Sequence, residues 1–169
     1  MTTNICRTLI VCLLLAAAVA ALWLVFMRTS EEDRIIDACD ALAAAVSKAP
    51  DEGNTALLLK SRSLDGLFAA QVKLNVTVYG IGGSYSAEEL VSVIMRGRGM
   101  FQELNLNFVD ITVEVSSEDK AAASFTARFE GRGRAGAATE TVRVIQSFLR
   151  KIDGDWRFER FEEVVVMTK

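Results

Sequence analysis

Few side chains in this sequence are equipped for chemistry, and their types bound what it can do. Histidine is missing altogether, which removes Ser-His-Asp and Cys-His nucleophile systems and most catalytic zinc sites. Carboxylates, tyrosines, arginines and a thiol remain. Asp110 is the carboxylate of interest, mid-strand between Phe108 and Thr112. Aimed into a pocket it would carry a raised pKa and could move a proton; the plainer alternative is that it faces solvent opposite Val109 and Ile111. Tyr79 and Tyr85 could line a pocket mouth and donate hydrogen bonds, although a strand-end tyrosine is commonly an amphipathic packing residue. Tyr79, Tyr85 and Asp110 are therefore the candidate ligand-binding residues, with Asp110 and Tyr79 the candidates for catalysis. No phosphate-loop or dinucleotide glycine spacing occurs, and neither metal nor cofactor is expected. Arg132 and Arg134 in the Gly131–Gly136 loop, with Arg96 and Arg98, could hold an anion or a lipid headgroup; solvated turns are the competing reading. Of the three cysteines, Cys6 and Cys12 lie in or beside an apolar N-terminus. Cys39 then reads as a small buried hydrophobe. Asn75-Val76-Thr77 is formally a glycosylation sequon inside a strand, where it makes a poor acceptor.

The element around which these residues must be arranged is the last third of the chain, Thr139 to Met167. Two segments rich in Val, Ile, Phe and Trp meet at Asp153-Gly154, a two-residue turn whose glycine supplies positive φ without a steric penalty. Such a hairpin is unstable alone and needs a larger sheet. Val72 to Tyr79, Leu106 to Val115 and Ala121 to Glu130 alternate apolar and polar residues and supply further strands. Gly80 to Gly83 should break the first of them. In the second, Val109, Ile111, Val113 and Val115 should share one face. Helices are expected from Ser30 to about Val46, from Asn54 to Phe68 with Leu57, Leu58, Leu64 and Leu67 available for burial, and after Ser86. The last opens with a capping box to Glu89, and Leu90, Ile94, Phe101 and Leu104 form its apolar stripe. Gly97 lies on that stripe.

Thr8 to Met27 is an uncharged apolar run between Arg7 and Arg28, long enough to cross about 30 Å of hydrocarbon as a helix. It reads as a membrane span or signal anchor; cleavage after Ala18-Val19-Ala20 is the rival, although the apolar run continues past that point. The free amine and Arg7 precede the span and acids soon follow it, so residues 1–7 are expected in the cytoplasm and the domain, residues 28–169, outside it. A net charge of −3 gives no basic footprint for nucleic acid.

Helices concentrated before a run of strands give an α+β domain: three helices on a curved, mainly antiparallel sheet of four to five strands, preceded by one transmembrane helix. The order of elements, the join from Tyr79-Gly80 to Ser86-Ala-Glu-Glu-Leu90, and Leu149-Arg-Lys-Ile-Asp-Gly-Asp-Trp156-Arg-Phe158 resemble the nuclear transport factor 2-like superfamily. That superfamily includes polyketide cyclases, ketosteroid isomerase and scytalone dehydratase. The resemblance implies a cone of sheet and helices with a pocket at its open end, and often a dimer through the outer face of the sheet. Enzymes of this kind place a carboxylate base, or a His-Asp pair, in the cone; the region of the isomerase base corresponds to about Lys73-Leu74-Asn75-Val76, where Asn75 cannot take a proton as a carboxylate does. Independently, Val142, Val144 and Phe148 alternate with Ile145 and Leu149, so the hairpin is apolar on both faces. The second face calls for a homodimer or an overlying segment of the same chain. Two functions follow as expectations. The first is a membrane-anchored, non-catalytic binding or assembly module; the second is a pocket enzyme acting on a small hydrophobic substrate through Asp110 and Tyr79.

Overall fold

The computed structural model describes residues 31–76 and 81–164. In chain order these form helix α1 over residues 31–46, α2 (Asn54–Leu67), strands β1 (Phe68–Val76) and β2 (Ile81–Ser86), α3 (Ala87–Gly99), and β3 (Phe101–Val115), β4 (Lys120–Gly133), β5 (Ala138–Ile152) and β6 (Asp155–Glu163). The span expected over residues 8–27 lies outside the described residues. Among the described residues, no helix is long and apolar enough to cross a membrane.

The strands make one six-stranded sheet in the order β2-β1-β6-β5-β4-β3. All neighbours are antiparallel except β1 and β6, which run parallel. The expected α+β class holds, with the sheet larger and mixed. The additional strand is β2. Ile81-Gly-Gly-Ser84 carries almost no alternating pattern, yet β2 folds back on β1, pairing Leu74 with Gly83 and Val72 with Tyr85. The two glycines tolerate strand geometry here because β2 lies at the sheet edge and has one neighbour to satisfy.

The terminal hairpin forms as its turn dictates: Asp153 and Gly154 both have positive φ, 53° and 88°, the type I′ geometry that matches strand twist. One face of the sheet packs under the helices. Ile35, Cys39 and Leu42 from α1, Leu64 from α2 and Leu90 from α3 meet Phe68, Val72, Phe108, Phe125, Leu149, Trp156 and Phe158. The Ser86–Glu89 capping box is present in both directions and fixes the start of α3. Burial differs from expectation at α2, where Leu64 is buried but Leu58 is 64 % exposed and Leu57 is also exposed. Leu57, Leu58 and Leu59 are all exposed, so α2 meets the core from its C-terminal half through Leu64.

Two further differences have one cause, the phase of β3. The strand begins at Phe101, so Phe101 and Leu104 belong to it and not to the stripe of α3. Its inward residues are Leu104 and Phe108 up to Asp110, and Ile111 and Val113 after it. The switch is a β-bulge: Val109 pairs with Thr126 and Thr112 with Ser124, so Asp110 and Ile111 together oppose Phe125. Asp110 takes φ 56°, a left-handed conformation that Asp adopts more readily than branched residues. The expected common face for Val109, Ile111, Val113 and Val115 therefore breaks at Asp110. A methyl group in place of the Gly97 hydrogen would meet nothing within 4 Å, so this glycine marks no close approach of α3 to the sheet.

Candidate functional site

Register on the outward side of the sheet creates the most distinct surface feature. Across β1, β6, β5 and β4 it leaves a hollow of about 500 Å³ lined by Lys73, Lys120, Phe148, Arg150, Glu159 and Arg160, among others. The guanidinium of Arg160 lies 3.8 Å over the Phe148 ring. Phe148, the apolar side chain expected to need a partner on this face, is thus covered from the neighbouring strand. A bulge in β6 sets this up. Leu149 pairs with Phe158 and Phe148 with Arg160, so Glu159 is extra, which keeps Phe158 and Phe161 inside and turns Arg160 out. Arg150 is 3.1 Å from Glu159, and Arg160 is 3.2 Å from Glu162. Such a site can hold an anion by charge and by guanidinium forks.

On the other face the described interior is apolar. Its one fully buried hydroxyl, Ser147, donates to the Ala123 carbonyl at 3.1 Å, as a buried polar group should. Burial, reinforced by the charge of Asp40, pushes the Cys39 thiol up to about 12, so it stays protonated and unreactive. A charged cluster joins the helices at one end. Glu52 accepts from Arg98 Nη2 at 2.7 Å and from Lys60 Nζ at 2.7 Å; its side chain is 4 % exposed and that of Arg98 2 %. Arg98 also donates to the carbonyls of Val46 and Ser47 at 2.8 and 2.9 Å. Burial raises the Glu52 carboxyl, but the bonds and charges of Lys60 and Arg98 outweigh it and hold the group below the usual carboxylate range. Every oxygen is occupied, so the cluster braces the α1–α2 connection against α3 and offers no group for proton transfer. Arg98, weighed above as an anion ligand against a solvated surface residue, is part of this brace.

Of the other candidates, those among the described residues lie apart. Asp110 is exposed in the β3 bulge. Tyr79 lies outside the described residues. Tyr85 is half-buried against the core and directs its hydroxyl to the Gly82 carbonyl at 3.4 Å. Tyr85 and Asp110 are on β2 and β3, the two opposite edge strands of the sheet. Arg132 continues β4 and lies 3.5 Å from Glu103, while Arg96 donates to the Ser92 carbonyl in its own helix at 3.3 Å. Asn75 is an exposed residue of β1. The cations of the hollow were not singled out from sequence. One signal existed: a two-residue turn at Asp153-Gly154 places Arg150 opposite Arg157 by counting alone.

This arrangement of helices and mixed sheet recurs in solved structures. LinA, a hexachlorocyclohexane dehydrochlorinase, superposes with a TM-score of 0.66 at 17 % identity, over 81 % of this chain and 86 % of that one. A proposed dehydratase of the NTF2-like family from Streptomyces avermitilis gives 0.63 at 14 %, over 83 % of this chain and 99 % of the other. The fold is nuclear transport factor 2-like. The association domain of C. elegans CaMKII shares it as well, with a TM-score of 0.59, 14 % identity and coverage of 81 % and 97 %. At these identities the likeness is one of fold alone. No family model matches the sequence, and no curated protein matches it. Within this nuclear transport factor 2-like frame, the helices and the inner sheet face form the cone, and the basic hollow lies on the opposite face of the sheet.

Proposed function

We propose that this chain is a membrane-anchored, non-catalytic binding and assembly module. Residues 8–27 are its anchor, residues 1–7 are cytoplasmic and the domain of residues 28–169 is extracytoplasmic. The observation that carries the reading is the separation of charge from the cone. The titratable groups nearest its core are an inert thiol and a fully paired brace, whereas the cations converge on a hollow outside it. Assembly is a homodimer through the outer face of β4 and β5, where Val142 is 45 % exposed; that one neighbour in fold is an association domain fits this use of the sheet. A small hydrophobic ligand inside the cone, bound near Tyr79 and Tyr85, is compatible with the module.

The second reading, a pocket enzyme using Asp110 and Tyr79, draws its support from neighbours that are a dehydrochlorinase and a proposed dehydratase. One experiment separates the two. Full-length protein, extracted from membranes in neutral detergent, is incubated with a metabolite extract and followed by mass spectrometry. Enrichment of a compound without its consumption is the expected result. Consumption that disappears in Asp110→Asn overturns the non-catalytic reading. Release of the chain by alkaline carbonate, with a mature N-terminus just after Ala20, overturns the anchor.

A further inference from the structure

The outward side chains around the hollow stand in rows fixed by register. In one row Lys120 on β4 is directly opposite Arg150 on β5, and Arg150 is directly opposite Arg157 on β6. In the next, Phe148 is opposite Arg160, and Arg160 is opposite Lys73 on β1. Like charges directly opposite one another destabilise a sheet. Three such pairs nevertheless adjoin on one face of a chain whose net charge is −3. Glu159 and Glu162 answer Arg150 and Arg160. Lys73 and Lys120 line the hollow with no ion pair among the described residues. A set of cations held together against their mutual repulsion, two of them with no carboxylate to answer them, is short of an anion.

We propose that the hollow binds a phosphate-bearing ligand, with Lys73 and Lys120, which no carboxylate answers, as its first ligands and the remaining N–H groups of the Arg150 and Arg160 guanidiniums beside them. The proposal rests on the reading of the chain as a binding module and names the class of ligand. Guanidinium is planar and matches the oxygens of a phosphate two at a time, and the Phe148 ring under Arg160 holds that plane fixed and partly dehydrated. Adjacent strands lie about 4.8 Å apart, so the hollow from Lys120 on β4 to Lys73 on β1 extends over about 14 Å. That distance, in a hollow of about 500 Å³, suits a ligand with more than one anionic group. The phosphate could come from a soluble diphosphate or from a lipid headgroup. Lys120 and Arg150 sit at the end of the sheet that carries the Asp153-Gly154 turn, where the Gly154 carbonyl accepts from Arg34 at the start of α1.

The test uses full-length protein in neutral maltoside micelles, titrated calorimetrically with pyrophosphate and, separately, with short-chain phosphatidylglycerol. Binding of at least one probe, weakening steeply as salt is added, is expected. Lys73→Ala with Lys120→Ala should weaken it by about tenfold or more without lowering the melting temperature, and Lys120→Arg should retain it. Pyrophosphate alone identifies a soluble ligand, and phosphatidylglycerol alone a headgroup; either outcome supports the site. No binding of either probe at low salt, or undiminished binding by the double variant, overturns it. Turnover of some other compound with phosphate binding intact would sink the non-catalytic reading and leave this site standing, so the two failures are distinguishable.

Discussion

At the scale of single residues, the buried Glu52 carries the clearest energetic consequence. Its carboxylate neutralises Arg98 where water cannot, and removing one partner of a buried pair leaves an uncompensated charge. Glu52→Gln should destabilise the fold by about 3 kcal/mol at pH 7, read from urea unfolding curves. The pH dependence has a definite sign. The folded carboxyl titrates below its ordinary value of 4.5, so its stabilisation is complete above that pH and is lost as pH falls through the lower folded value. The gap between wild type and Glu52→Gln should therefore be constant from neutrality to about pH 4.5 and narrow below it. Cys39 gives a second check. With its thiol pushed up to about 12 by burial and Asp40, it should resist iodoacetamide at pH 8 in the folded protein and react once denaturant is added, as followed by peptide mass spectrometry. Rapid alkylation of the native protein would contradict the packing described for α1.

At the scale of elements, the β3 bulge decides which side chains reach the core. Asp110 supplies the left-handed residue that the bulge requires, with φ 56°. Asn shares this tolerance while Val does not. Asp110→Asn should leave stability within about 0.5 kcal/mol of wild type, which makes it a clean probe of catalysis. Asp110→Val should lose about 2 kcal/mol through backbone strain. Equal stability of the two variants in thermal or urea unfolding would mean that the strand runs without its bulge. The bulge at Glu159 works in the same way on β6: one extra residue keeps Trp156, Phe158 and Phe161 all buried and hands Arg160 to the outer face.

At the scale of the whole molecule, the two faces of one sheet divide the work. The inner face holds the helices through apolar contact, and the outer face presents cations at one end and valines at the other. If assembly uses the valine end, Val142→Lys with Val144→Lys should convert the dimer to a monomer in light scattering while leaving the phosphate titration unchanged, because the hollow lies further along β5. A variant that remains dimeric would place the interface elsewhere.

Local chemistry determined much of this in advance. The Asp153-Gly154 turn, the Ser86–Glu89 cap and the alternation of β4 follow from φ preferences, hydrogen-bond geometry and a two-residue period, all properties of neighbouring residues. From them the α+β class follows, because the helical and strand periods leave little choice of what must be buried, whereas the starts of β1 at Phe68 and β3 at Phe101 do not. Tertiary structure decided the rest. That a glycine-rich segment becomes β2, that Asp110 is an exposed bulge residue, and that Glu52 meets Arg98 across 46 residues of chain depend on partners far off in sequence. So does the site. Lys73, Lys120, Arg150 and Arg160 sit on four strands, and only pairing across β1, β6, β5 and β4 makes a single hollow of them. Charge acts through space, and a linear sequence does not record which strands will be neighbours.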